Sequence, residues 1–160
     1  MRLSLLVVAI CGAVFACEPA PAARQGGADA ATLAQARAAV EARYAAHWRG
    51  GQGFSADTLR ARKAWFTPAF YQLLLADMSG DEIGIVDYDP FTDAQDDGAR
   101  FVVGNPRAGH DTVYVPVEVR FDSASEAQRS VTLAMVRDSS AWRIGDFIDG
   151  DGSLAGRLRK

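Results

Sequence analysis

The sequence predicts an α+β domain in which N-terminal helices pack on a curved antiparallel sheet. Two observations carry that expectation. Apolar residues recur at steps of three and four in the first half of the chain, and in the second half they alternate strictly from Thr112 to Phe121. Composition removes the competing classes: of 160 residues, 49% are hydrophobic and 23% charged, and Gly and Pro show no period, so collagen-like, coiled-coil and disordered chains are excluded. A formal net charge of -3 also argues against a nucleic-acid binder, which needs a clustered excess of Lys and Arg.

Order is expected to begin at Asp29 or Thr32, either of which can cap a helix. Leu33, Ala36, Val40, Tyr44, His47 and Trp48 then mark one helical face, and Gly50 to Gly53 ends it. Asp57 is the expected cap of a second short helix through Leu59, Arg62, Lys63 and Phe66. Thr67-Pro68 opens a third, with Phe70, Leu73, Leu74 and Met78 on its buried side. Thr112 to Phe121 is the strongest strand, with Val113, Val115, Val117, Val119 and Phe121 on one face. Phe101–Val103, Ser130–Arg137 and Trp142–Ile148 are further strands, with turns at Gly104-Asn105-Pro106, Asp122-Ser123 and Asp138-Ser139-Ser140. Gly152-Ser153 is expected to cap a last helix carrying Leu154 and Leu158.

Ahead of the domain, Arg2 is followed by an uncharged apolar run, Leu3 to Phe15. A membrane-spanning helix needs about 20 apolar residues, so this run fits a signal-peptide core instead. It ends in Val14-Phe15-Ala16-Cys17, which resembles the lipobox of bacterial lipoproteins, where the cysteine after the cleavage site is acylated. That divides the chain into a signal peptide (1–16), a lipidated tether rich in Ala, Pro and Gly (17–30) and one domain (31–160). Removing Cys11 with the signal and acylating Cys17 would leave no thiol in the domain, hence no disulfide. Glu18, rather than Asp, follows the cysteine, so the expected location is the outer membrane, lipid-anchored and facing the periplasm.

The segment from Asp77 to Gly98 holds eight acidic residues (Asp77, Asp81, Glu82, Asp87, Asp89, Asp93, Asp96 and Asp97) and no basic one. Its spacing does not match a calcium loop, since the sixth position counted from Asp87 is Thr92 and the twelfth is Gly98. Aspartates that accept backbone N–H groups in turns are the simpler expectation.

Within that segment, Asp87-Tyr88-Asp89-Pro90-Phe91-Thr92-Asp93-Ala94-Gln95-Asp96 resembles the Asp-Pro-Phe, Ala-Gln-Asp signature of the domain-of-unknown-function family 3828. The likeness extends back through the Tyr44 helix and forward to Asp146. It implies a small bacterial envelope protein with a layout similar to the cone-shaped nuclear-transport-factor-like fold, in which helices close over a curved sheet. The motif positions are Asp89, Pro90, Phe91, Ala94, Gln95 and Asp96; the resemblance implies no catalytic role for them. Two readings follow. Pro90 restricts Asp89 to extended backbone, so Asp89, Gln95 and Asp96 would lock the helix-to-sheet passage by bonding backbone groups while Phe91 plugs the core. Alternatively, the three polar residues face a pocket walled by Tyr44, Trp48, Tyr71 and Trp142.

Catalytic and metal patterns are sparse. His47 and His110 are the only histidines and neither has a further ligand nearby in sequence, so no metal or cofactor is implied. Gly51-Gln52-Gly53-Phe54-Ser55-Ala56 follows a helix rather than a strand, which speaks against a dinucleotide fingerprint. Ser153 lacks the first Gly of a nucleophile elbow and sits too near the C-terminus for triad partners to follow. The preferred expectation is a non-enzymatic envelope lipoprotein that binds a partner protein or a cell-wall component. The alternatives are an inhibitor or immunity protein for a periplasmic hydrolase, using the acidic segment, and a cone-fold enzyme using Asp89 and Asp96 for acid/base chemistry.

Overall fold

The Asp29 carboxylate accepts the Thr32 N–H at 2.7 Å and so starts helix α1, Ala30–Arg49. The computed structural model describes residues 29–51, 53–80, 83–122, 128–139 and 141–160. The signal segment, Cys17 and the tether up to Ala28 lie outside the described residues. Among those described, no helix is long and apolar enough to cross a membrane. Ala36, Val40, Tyr44 and His47 form the buried stripe of α1, at the spacing of one helical face.

Helix α2, Ala56–Ala61, departs from expectation at both ends. Its cap is Ser55, whose hydroxyl accepts from Thr58 N while Thr58 Oγ1 accepts from Ser55 N. Asp57 lies instead in the first turn and pairs with Arg60 at 2.8 Å. The helix stops at Ala61, and Lys63–Trp65 form a single 3₁₀ turn, so Phe66 leaves in extended geometry and bridges to Ile144. Thr67 and Pro68 start α3, Pro68–Asp77, as expected.

The sheet is open, antiparallel and six-stranded: β1 Arg100–Val103, β2 Arg107–Ala108, β3 Val113–Arg120, β4 Gln128–Asp138, β5 Ala141–Asp149 and β6 Gly152–Ser153. Its order is β1-β3-β4-β5-β6, with β2 also on β3. Val113, Val115, Val117 and Val119 all turn inward and are at most 3% exposed, each contributing roughly 1.5–3 kcal/mol on burial. They meet the α1 stripe together with Leu133, Ile144 and Phe147. The architecture is α+β.

Two irregularities shape the sheet. Gly104-Asn105-Pro106 does not reverse the chain as a hairpin turn. It makes a jog, after which β2 continues along the same edge of β3 that β1 occupies. The jog sits opposite Pro116, whose carbonyl accepts from Gly104 N at 2.8 Å. Antiparallel geometry points a residue's N–H and C=O to the same neighbour, so the donor that Pro116 lacks would have faced this interruption, which is why a proline is tolerated in an inner strand. On the other side, Ala134 pairs with Asp146 but Met135 with Ile144, leaving Gly145 as the extra residue of a bulge. The bulge changes the phase of β5: Trp142 and Ile144 face inward before it and Phe147 after it. Ser153 then caps the last helix, α4 Leu154–Arg157, by accepting from Gly156 N.

Candidate functional site

The passage from helices to sheet is built around Asp89. Pro90 sets its backbone extended, and it bridges to Ala94 across a tight turn, with Asp89 N donating to Ala94 O at 2.9 Å. Its carboxylate, with the residue 6% exposed, accepts three donors. These are Phe91 N on Oδ1 at 3.0 Å, and Gly53 N at 3.0 Å and His47 Nε2 at 2.6 Å on Oδ2. His47 is fully buried and stacks on Phe91 with ring centroids 4.6 Å apart. Its other ring nitrogen, Nδ1, lies 2.7 Å from Arg62 NH1. Arginine can only donate, so Nδ1 must accept and the ring proton sits on Nε2. The pair is therefore a neutral imidazole donating to a carboxylate, a charge-assisted hydrogen bond rather than an ion pair.

Phe91 joins the elements around this group. Fully buried, it meets Tyr44, Phe147 and Trp65 edge-on, and its carbonyl accepts from Tyr44 Oη at 2.9 Å. Burial, then the Asp89 charge, pushes the Tyr44 hydroxyl well above the ordinary tyrosine range, so it remains a donor.

Tyr88, one residue earlier, turns to the opposite side. Its hydroxyl donates to Asp149 Oδ2 at 3.1 Å and accepts from Arg157 NH2 at 2.6 Å. Arg157 grips Asp149 with both terminal nitrogens, at 2.8 and 2.7 Å. Adjacent residues thus tie one segment to α1 on one side and to the C-terminal helix on the other.

Asp77 organises the start of the same segment. Its two carboxylate oxygens accept from Ile85 N and Val86 N, each at 2.9 Å. The turn is tight enough that a Cβ on Gly84 would strike the Asp77 carboxylate and carbonyl. Held this way, Ile83 is 88% and Ile85 44% exposed, unlike Val86, which is buried. These isoleucines stand in an acidic run without any periodic partner, the one signal in the sequence that marks them.

The expected site residues are distributed among different surroundings. Asp89 and Phe91 are buried in the interior, as is Pro90, while Gln95 and Asp96 are exposed. Gln95 donates to Asp87 O at 3.3 Å. Asp89 and Asp96 are not a facing pair, since one carboxylate is enclosed and bonded and the other lies in solvent. Tyr44 is core. Trp48 packs against Phe101, so close to Gly98 that a Cβ there would lie 2.8 Å from the indole. Trp142 is 9% exposed, beneath Arg137, with its carbonyl accepting from Arg43. Trp48 is partly exposed, and Tyr71, at 6% exposure, lines a cavity. It lies in a cleft of about 600 Å³ between the 3₁₀ turn, the start of α3 and Arg143 of β5. His110 is on the surface, paired with Asp111.

Among the described residues, no group of three His, Cys, Asp or Glu side chains converges as a metal site. Asp77 and Asp89 instead bond backbone N–H groups. Comparisons with protein-family models, curated proteins and solved structures find no match to this chain.

Proposed function

We propose that this chain is a lipid-anchored protein of the bacterial envelope whose domain docks a partner protein and performs no chemistry of its own. The observation that carries this reading is the Ile83–Ile85 turn. Two aliphatic side chains stand out to solvent in a turn that the Asp77 carboxylate shapes by accepting from Ile85 N and Val86 N. Burying an aliphatic side chain at an interface is favourable by roughly 1.5–3 kcal/mol, and a pre-shaped turn avoids the entropy of ordering it. The lipobox-like junction at Cys17, the Pro- and Gly-containing tether and the resemblance around Asp89-Pro90-Phe91 support the envelope location. The closed surroundings of Asp89 and His47 favour a structural use of that pair over acid/base catalysis.

A photo-crosslinking side chain at position 83 of the full chain, activated in cells, is expected to yield one discrete adduct. Ile83→Asp with Ile85→Asp should abolish it from a neighbouring crosslinker while leaving the melting temperature unchanged. An undiminished adduct would overturn the docking turn. For the anchor, Cys17→Ser is expected to lose incorporated lipid and leave the membrane fraction; equal membrane retention refutes it.

A further inference from the structure

The cleft beside Tyr71 has a composition that the docking turn does not use. Its apolar walls are the exposed Ala61, Ala64 and Pro68, with the nearly buried Tyr71 and Phe66 behind them, and its charged residues are Lys63 and Arg143. Lys63 Nζ stands 5.3 Å over the Tyr71 ring and has no carboxylate partner among the described residues. Arg143 donates to Ala64 O at 3.1 Å, which ties β5 to the 3₁₀ turn. Its Nε is 2.9 Å from Asp138 Oδ2, yet that buried N–H is not aligned for a hydrogen bond.

In a chain with net charge -3 and an acidic segment at the far end of α3, this is a local reversal of sign. Asp138 offsets one of the two lining cations, leaving one net positive charge at the cleft, which suits a monoanion better than a phosphate dianion. An apolar wall edged by Tyr71 and one net cation together define a recognisable complement. The geometry points to a binding site for a small monocarboxylate carried on an aromatic or similarly flat apolar body. The acid would sit between Lys63 and Arg143, with its body against Ala64, Pro68 and the edge of Tyr71. This site is independent of the Ile83–Ile85 turn.

The probe is 3-phenylpropanoate, with 3-phenylpropylamine and 3-phenylpropanol as cationic and neutral matches and propanoate as the bare acid. Binding is measured by equilibrium dialysis against the full chain in phosphatidylcholine nanodiscs, with empty nanodiscs subtracted. The expected result is saturable binding of 3-phenylpropanoate at one site, weakened by salt. The amine should not compete, and propanoate should bind at least about tenfold more weakly for want of an apolar body. Lys63→Glu, at an exposed position, should reduce affinity about tenfold or more with unchanged melting, whereas Lys63→Arg should retain it. Ile83→Asp should leave it intact, which separates failure here from failure of the docking turn. Equal binding of amine and acid, absence of saturation, or insensitivity to Lys63→Glu would each overturn the assignment.

Discussion

Tyr88 and Asp89 are neighbours in the chain and opposites in their surroundings. Asp89 enters an apolar wall where His47 is fully buried and both carboxylate oxygens are taken, Oδ1 by Phe91 N and Oδ2 by Gly53 N and His47 Nε2. Tyr88 joins a group that carries more formal charge, the bidentate Arg157–Asp149 pair, in which the Asp149 side chain is 5% exposed but the Arg157 side chain is 21% exposed. On the open Arg157 side solvent screens the Coulomb gain of the pair and can replace a lost partner, whereas a bonded group closed in on every side, such as His47, cannot fall back on solvent. Bond for bond, the interior lock with less charge should therefore hold the segment more firmly than the clamp with more.

The largest test removes the lock. Asp89→Ala strands the N–H groups of Phe91 and His47 in the interior and removes the partner of the part-buried Gly53 N–H, with an expected loss of about 3–5 kcal/mol in denaturant unfolding. Arg157→Ala, the matching cut on the other side, should cost less, about 1–3 kcal/mol, because water can reach Asp149 and Tyr88 once the guanidinium is gone. If the two substitutions cost the same, the contrast drawn from burial fails.

Acid should act on the clamp as well. Burial raises the Asp149 carboxyl, but the bonds from Arg157, Asp151 N and Tyr88 outweigh it and hold the group below its ordinary value. A carboxyl lowered by folding contributes stability that is present above its unfolded value, near 3.9, and is lost as pH falls through the lower folded value. Unfolding curves of the parent should thus weaken below about pH 4, and Asp149→Asn should flatten that part of the profile.

The smallest effect belongs to Asp93. Burial first, then the charges of Asp149 and Asp151, raise its carboxyl, so the ionised form is disfavoured in the folded protein. Its φ of 54° is left-handed, a region that Asn tolerates well. Asp93→Asn should therefore keep the turn and raise stability at neutral pH by about 0.5 kcal/mol, read as a small upward shift of the melting temperature. A loss of stability would show that the Asp93 charge supports the clamp.

Much of this fold is legible in short stretches of chain. The alternation of Val113 to Val119 identifies the inner face of β3, and Thr67-Pro68 locates the start of α3 to the residue. Less is legible where neighbours compete. Ser55 outranks Asp57 as a cap because Thr58 returns a second bond to it. Arg107–Ala108 is a strand only because β3 has an unpaired edge beyond the jog, and two residues carry no period. The inward face of β5 skips from Ile144 to Phe147 because Gly145 bulges, which alternation alone does not foresee.

For the candidate site, the sequence by itself determined which residues were unusual: a histidine on an apolar helical face and an aspartate before Pro90. It also determined the α+β class, since periods of 3.6 and 2 are properties of successive residues. Only the tertiary structure decided that His47 and Asp89, 42 positions apart, complete one another, that Tyr88 turns away toward Arg157, and that Lys63 and Arg143 share a cleft. The reason is physical: a buried polar group must find a partner, but the chain does not encode locally which one. That choice is made when helix and sheet close and exclude the water that would otherwise have served.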